Sequence, residues 1–100
     1  MTDKAHPDIR QRTFDFAVRI VNLVKHLPET SIGRALASQL IRSGTSIGAN
    51  AQEALAGYSR DDFAFKTSLA LKEARETLYW LQLLKGHKSR DSNSPDSDNR

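Results

Sequence analysis

The chain carries carboxylates at positions where a helical protein could hold a metal pair, namely Glu29, Glu53, Glu73 and Glu76. Di-iron helical bundles need a histidine three residues after a ligating glutamate on two of their helices. Three residues on from these glutamates stand Ile32, Ala56, Glu76 and Tyr79, so the motif is absent. The histidines, His6, His26 and His87, fall at expected helix ends or in a polar tail and read as surface residues. Cysteine is missing, which removes thiolate nucleophiles, thiolate metal ligands and disulfides. Gly44 and Gly48 lie inside a helical pattern rather than after a strand, so neither phosphate-loop reading has its context. No histidine stands at a helical spacing from a serine, and no nucleophile can be argued. The expectation is a protein with no catalytic residues, no metal site and no cofactor, hence not an enzyme.

What remains is a set of charged and polar groups at inward or half-inward positions: Arg42, Asn50, Glu53, Lys66, Lys72, Glu73 and Glu76. Asn50 and Glu53, like Glu73 and Glu76, are three apart and share a helix side. Charges near a core persist when paired and hydrogen-bonded. The set reads either as ion pairs joining Arg42 or Lys66 to the carboxylates of another helix, or as a polar ligand site.

Three helices must position these groups, and no segment alternates with the period of a strand. The first begins at Asp8, where Asp8 and Gln11 have the spacing of a capping box, and Pro28 stops it. Phe14, Ala17, Val18, Val21 and Val24 give it an apolar face. The second runs from Thr30 or Ser31 to about Gly57. It bears two adjacent stripes, Leu36, Leu40, Ser43, Ile47, Asn50 and Ala54 beside Ala37, Ile41, Gly44, Gly48, Ala51, Leu55 and Tyr58, which predict two packed neighbours. Its centre, SGTSIGAN, has poor helix propensity, each interior glycine costing about 1 kcal/mol against alanine. Either the helix breaks between Gly44 and Ser46, or Gly44 and Gly48 mark a close helix crossing.

The third helix starts with the capping spacing of Ser59 and Asp62, just after Gly57, a natural terminator. One broad face holds Phe63, Ala70, Leu71, Ala74, Leu78 and Leu81 and is expected to meet the first two helices. A second face holds Phe65, Leu69, Trp80 and Leu83 and is expected to stay open as a subunit contact. Only a strip around Ser68, Lys72, Arg75 and Gln82 is left for water.

One hundred residues support one core. The boundaries expected are a helical domain over 1–86 and a disordered polar tail over 87–100, because GHKSRDSNSPDSDNR offers almost nothing to bury. The tail's Lys88, Arg90 and Arg100 balance Asp91, Asp96 and Asp98, so the net charge of +3 belongs to the helical part. That is a weak footprint for nucleic acid. Apolar stretches are broken by charge well short of the roughly 20 residues a bilayer requires, and no signal peptide is visible. A cytoplasmic location with no membrane partner follows as the expectation.

The stretch IRSGTSIGANAQEALAGYSRDDFAFKTSLALKEARETLYWLQLL closely resembles the bacterial four helix bundle protein family related to proteins encoded in 23S ribosomal RNA intervening sequences. The resemblance covers roughly residues 10 to 85. Its most specific parts are RSGTSIGAN at Arg42 to Asn50, Glu53-Ala54, and Ser59 to Leu84. It implies an all-α, antiparallel up-down bundle, often a ring-like homopentamer, with no known enzyme activity. This chain departs from the pattern where Gly86 to Arg100 replaces the fourth helix. The function expected is a non-enzymatic bundle subunit that oligomerises and serves as an interaction or accessory protein. The competing expectation is a nucleic-acid-binding accessory protein of the intervening-sequence or retroelement type. There the resemblance implies a reverse transcriptase and nucleic acid as partners, in keeping with a pI near 9.5.

Overall fold

The computed structural model describes residues 8–57 and 59–93, with side chains described as far as His87. Three helices follow one another, α1 (Ile9–Val24), α2 (Ser31–Leu55) and α3 (Arg60–Asn93), and no strand occurs among the described residues. Each start is capped by a short polar side chain. Asp8 Oδ1 accepts from the Gln11 amide at 3.0 Å, Thr30 Oγ1 from Gly33 at 3.0 Å, and Ser59 Oγ from Asp62 at 3.0 Å. The Asp8 box is one-sided, since the Gln11 side chain donates forward to Asp15 instead of back to the cap. The Gln11 amide, and behind it the Arg10 guanidinium, hold the Asp8 carboxyl below its usual range. Asp61 and Asp62 add negative charge to the first turn of α3, which suits the helix dipole. Gly57 ends α2 without entering the left-handed region, because no glycine among the described residues has positive φ.

α2 is the central helix. It packs against α1 on one side and α3 on the other, and Trp80, Leu81 and Leu84 of α3 border the same buried cluster as Ile20 of α1. α1 runs antiparallel to α2, since the Gly44 position faces Ile20 and the Gly48 position faces Thr13. α2 and α3 are also antiparallel, as Glu53 reaches Lys66 while Ser43 reaches Thr77. The buried cluster is Ile20, Leu27 and Leu40, with Phe16, Leu36, Trp80, Leu81 and Leu84 packed around it. The helix does not break at SGTSIGAN. The Ser43, Thr45 and Ser46 hydroxyls turn back onto the Gln39, Ile41 and Arg42 carbonyls, so the polar side chains satisfy themselves along the helix.

Three expectations need correction. The inward side of α1 is Thr13, Phe16, Ile20, Leu23 and Val24, and of the face expected there Phe14, Val18 and Val21 are exposed. Both sets have helical spacing. The choice falls to Thr13, whose hydroxyl donates to the Ile9 carbonyl at 2.7 Å and can therefore be buried against Gly48. On α3 the broad face expected to meet both other helices is largely open, with Phe63, Leu71 and Leu78 exposed. The helix instead turns Thr77 inward, flanked by half-buried Glu73, Trp80 and Leu84. Third, α3 continues through Gly86 to Asn93, past the limit expected at residue 86. Extending a helix already anchored costs far less than nucleating one, and a Cβ at Gly86 would meet nothing within 4 Å. The rest of the expected tail, 94–100, and Tyr58 of the second stripe lie outside the described residues.

Candidate functional site

The groups picked out as a polar network form two separate bridges between α2 and α3. In the first, Arg42 Nη1 stands 3.3 Å from Glu73 Oε1 and its other nitrogen pairs with Glu76 Oε2. Trp80 Nε1 donates to that same Glu76 oxygen at 3.1 Å, so one carboxylate fixes both an arginine and the tryptophan ring. In the second, Lys66 Nζ meets Glu53 Oε1 at 2.6 Å. The hydrogen bond to Glu53, reinforced by its charge, raises the Lys66 pKa. Asn50 belongs to neither bridge, because its amide donates to the Ser46 carbonyl one turn back. Lys72 is exposed and stands apart from both.

Beside the Arg42 bridge lies a contact that sequence reasoning missed. Thr77 Oγ1 is 2.8 Å from Ser43 Oγ and 2.8 Å from the Glu73 carbonyl, while Ser43 Oγ donates to the Gln39 carbonyl at 2.9 Å. Both hydroxyls are buried. Thr77 sits four residues after Glu73 and three before Trp80, a spacing that marks it as the middle of that face once the threonine is allowed inside.

Of these groups, Thr77 borders a hollow between the helices. That space is a trough between α1 and α3 with α2 as its floor. It consists of two adjoining hollows of about 660 and 340 Å³ that share Ile9, Thr13, Ile47 and Ala74. The lower wall is apolar, with Phe63, Ala70 and Leu71 on α3 opposite Ala51 and Ala54 on α2. The upper wall includes Arg12, Asp15 and Arg19 on α1, facing Thr77, Leu78 and Leu81. The face expected to be covered by α1 and α2 is therefore the one left open. The flank expected to be a subunit contact is divided: Phe65 and Leu83 are exposed, whereas Leu69 and Trp80 are half-buried and Trp80 packs on the chain's own core.

The glycine pair works in the opposite sense. A Cβ at position 44 would stand 3.0 Å from Ile20 carbons, and one at 48 would stand 3.1 Å from Thr13 Oγ1. Both distances are tighter than ordinary contact, so the bare backbone allows the approach of α1. Gly33 has the same role at the α1–α2 corner, where a Cβ would run into the Pro28 carbonyl oxygen, and sequence reasoning passed over it.

Among the described residues no cluster of three or more His, Cys, Asp or Glu is gathered for a metal ion, and no helix is long and apolar enough to cross a membrane. His26 Nδ1 lies 2.9 Å from the Asn22 carbonyl on the surface, His87 is exposed, and His6 lies outside the described residues.

No curated protein matches this chain. Among solved structures it is similar to the crystal structure of a protein of unknown function from the S23 ribosomal protein family of Bacteroides thetaiotaomicron VPI-5482. The two share 51% identity with a TM-score of 0.72, over 77% of this chain and 71% of that one. Residues 6–96 match the family described as 23S rRNA-intervening sequence protein. With that match spanning nearly the whole sequence and three helices laid out as above, the chain belongs to the 23S rRNA-intervening sequence protein family.

Proposed function

We propose that this chain is a non-catalytic helical subunit whose work is association, first with copies of itself and then with a partner. The observation that carries the reading is the balance of its apolar side chains. Among the described residues the large buried ones are Ile20, Leu27 and Leu40, while Phe14, Val18, Phe63, Phe65, Leu71, Leu78 and Leu83 all stand exposed. A soluble protein rarely leaves such patches uncovered unless they are contact surfaces. The self-contact is assigned to the flank of α3 bearing Phe65, Leu69, Trp80 and Leu83. Covering its exposed members contributes about 1.5 to 3 kcal/mol each before association costs. The family resemblance favours a closed ring of five copies over a dimer, which suits a single patch buried by identical chains.

Light scattering on the eluting full chain at micromolar concentration tests this. The reading expects a multiple of 11.2 kDa for the wild type and a single chain for Phe65→Glu/Leu83→Glu with unchanged helicity. A wild type that elutes as a monomer at every concentration would sink it.

A second reading, binding to RNA, draws on the family description and on the exposed cations Arg12, Arg19, Lys72, Arg75 and Lys85, none of which has an ion-pair partner among the described residues. Its signature is affinity that falls steeply with salt. RNA affinity that is absent at low salt, or indifferent to salt, removes this reading.

A further inference from the structure

We infer that the flank of α3 packs antiparallel against the outward stripe of α1 in the next copy of this chain, a head-to-tail contact between two different surfaces. The inference rests on the association reading above and names the surface that receives the flank. That surface is Phe14, Val18 and Val21, the large apolar side chains that α1 leaves exposed beyond its first turn. It lies on the side of α1 away from the trough, since none of the three lines that space whereas Arg12, Asp15 and Arg19 do. α1 meets α2 through Thr13 and Ile20, so no described residue covers the outward stripe.

Spacing and charge fix which way the two helices run. On α1, Phe14, Val18, Val21 and Lys25 follow at intervals of four, three and four, which is one side of a helix. On α3, Lys72, Leu69, Phe65 and the pair Asp61 and Asp62 give the matching rhythm in reverse. Each set spans about 16 Å at the helical rise. Laid antiparallel, Lys25 meets Asp61 and Asp62, Val21 meets Phe65, Val18 meets Leu69, and Phe14 meets the stem and ammonium of Lys72. Every position then has its complement: cation on carboxylate at one end, cation on an aromatic ring at the other, apolar contacts between. Lys25, Asp61 and Lys72 are exposed and have no ion-pair partner among the described residues, so they are available for this contact. Run parallel, Asp61 would face Arg10, already held by Asp8, and Lys25 would face Glu76, already held by Arg42.

Pairing like with like serves the chain less well. Two α1 stripes laid antiparallel would set Lys25 against Arg10, a repulsion. Two α3 flanks would match Asp62 with Lys72 but would leave Phe14, Val18 and Val21 bare. α1 on α3 covers both patches in a single contact. Because the two surfaces sit on different helices, each copy offers one of each, and the contact repeats from chain to chain until a ring closes. The trough over α2 takes no part, and in this register Leu83 lies beyond the end of the α1 stripe.

The test mixes two variants of the full chain at concentrations where the wild type is assembled. Val18→Glu/Val21→Glu spoils the receiving stripe and keeps the flank, while Phe65→Glu/Leu83→Glu spoils the flank and keeps the stripe; all four positions are exposed. Analytical ultracentrifugation should give a single chain of 11.2 kDa for each variant alone, with unchanged helicity. The mixture should give a one-to-one dimer, because one intact surface of each kind remains and the series of contacts stops at two. A charge exchange checks the direction. Lys25→Asp and Asp61→Lys/Asp62→Lys should each raise the concentration of half-assembly about threefold or more, and all these changes in one chain should restore it. Assembly of Val18→Glu/Val21→Glu like that of the wild type overturns the inference, as does a mixture that stays monomeric or a combined charge exchange that restores nothing. A wild type that assembles through any of those outcomes refutes this inference alone, whereas a wild type that stays monomeric refutes the self-association reading and this inference with it.

Discussion

The two seams of α2 are built by opposite means. Against α1 the contact depends on what is missing: Gly44 and Gly48 have no side chain, and Ile20 and Thr13 fill the space. Against α3 the contact depends on what is present: a buried hydroxyl pair between Ser43 and Thr77, flanked by Arg42 with Glu73 and Glu76 and by Lys66 with Glu53. A seam of close approach tolerates no added volume and is indifferent to salt and pH. A seam of polar bridges fixes register, because every partner must meet at one offset, and it responds to ionic conditions. α3, the helix with the most exposed apolar surface, is thus held in register by polar contacts and kept from rotating its open face inward.

The comparison is sharpest at Gly48. Leucine there must displace Thr13 and push α1 away, with a cost of about 1 to 3 kcal/mol and a lower Tm in thermal unfolding. An unchanged Tm would mean that α1 does not cross at the glycines. At the other seam, Thr77→Val keeps the shape and removes the hydroxyl, and urea titration should show a loss of about 1 kcal/mol. Arg42→Ala should cost less, under about 1 kcal/mol, since the arginine is 49% exposed. That loss should shrink in high salt while the Gly48→Leu loss does not. If both respond alike to salt, the distinction between the seams is wrong.

The smallest effect concerns Lys66. Its folded pKa is raised by Glu53, so its contribution is present at neutral pH and is lost as pH climbs through the raised value in the alkaline range. Lys66→Met should abolish that alkaline component of a stability-against-pH curve. Asp8 has the opposite sign, its lowered pKa making the α1 cap weaken only as pH falls through the acidic range.

Helix starts were legible in the sequence because caps are local: Asp8, Thr30 and Ser59 each act on an amide three residues away. The glycine pair was legible because two unfavourable residues one turn apart need a tertiary reason. The inward faces of α1 and α3 were not. Thr13 and Thr77 read as polar on any hydropathy pattern, yet each buries its hydroxyl by donating within its own helix or across to Ser43. Once they are inside, the apolar faces read as core swing outward by tens of degrees, and Phe14, Leu71 and Leu78 become surface. The end of α3 was misjudged for a different reason, since composition reports what a segment can bury and not whether an existing helix can run on through it.

The central claim is that apolar surface left open by these three helices is covered by other chains. The emission of an apolar-surface dye such as anilinonaphthalene sulfonate, measured per chain across a dilution series of the full protein, tests it most directly. The account predicts bright emission when dilute that falls as concentration rises and chains cover one another. Emission that stays weak at every concentration would contradict it, because the chain would then be hiding this surface by itself, and emission that stays bright would show that copies never meet.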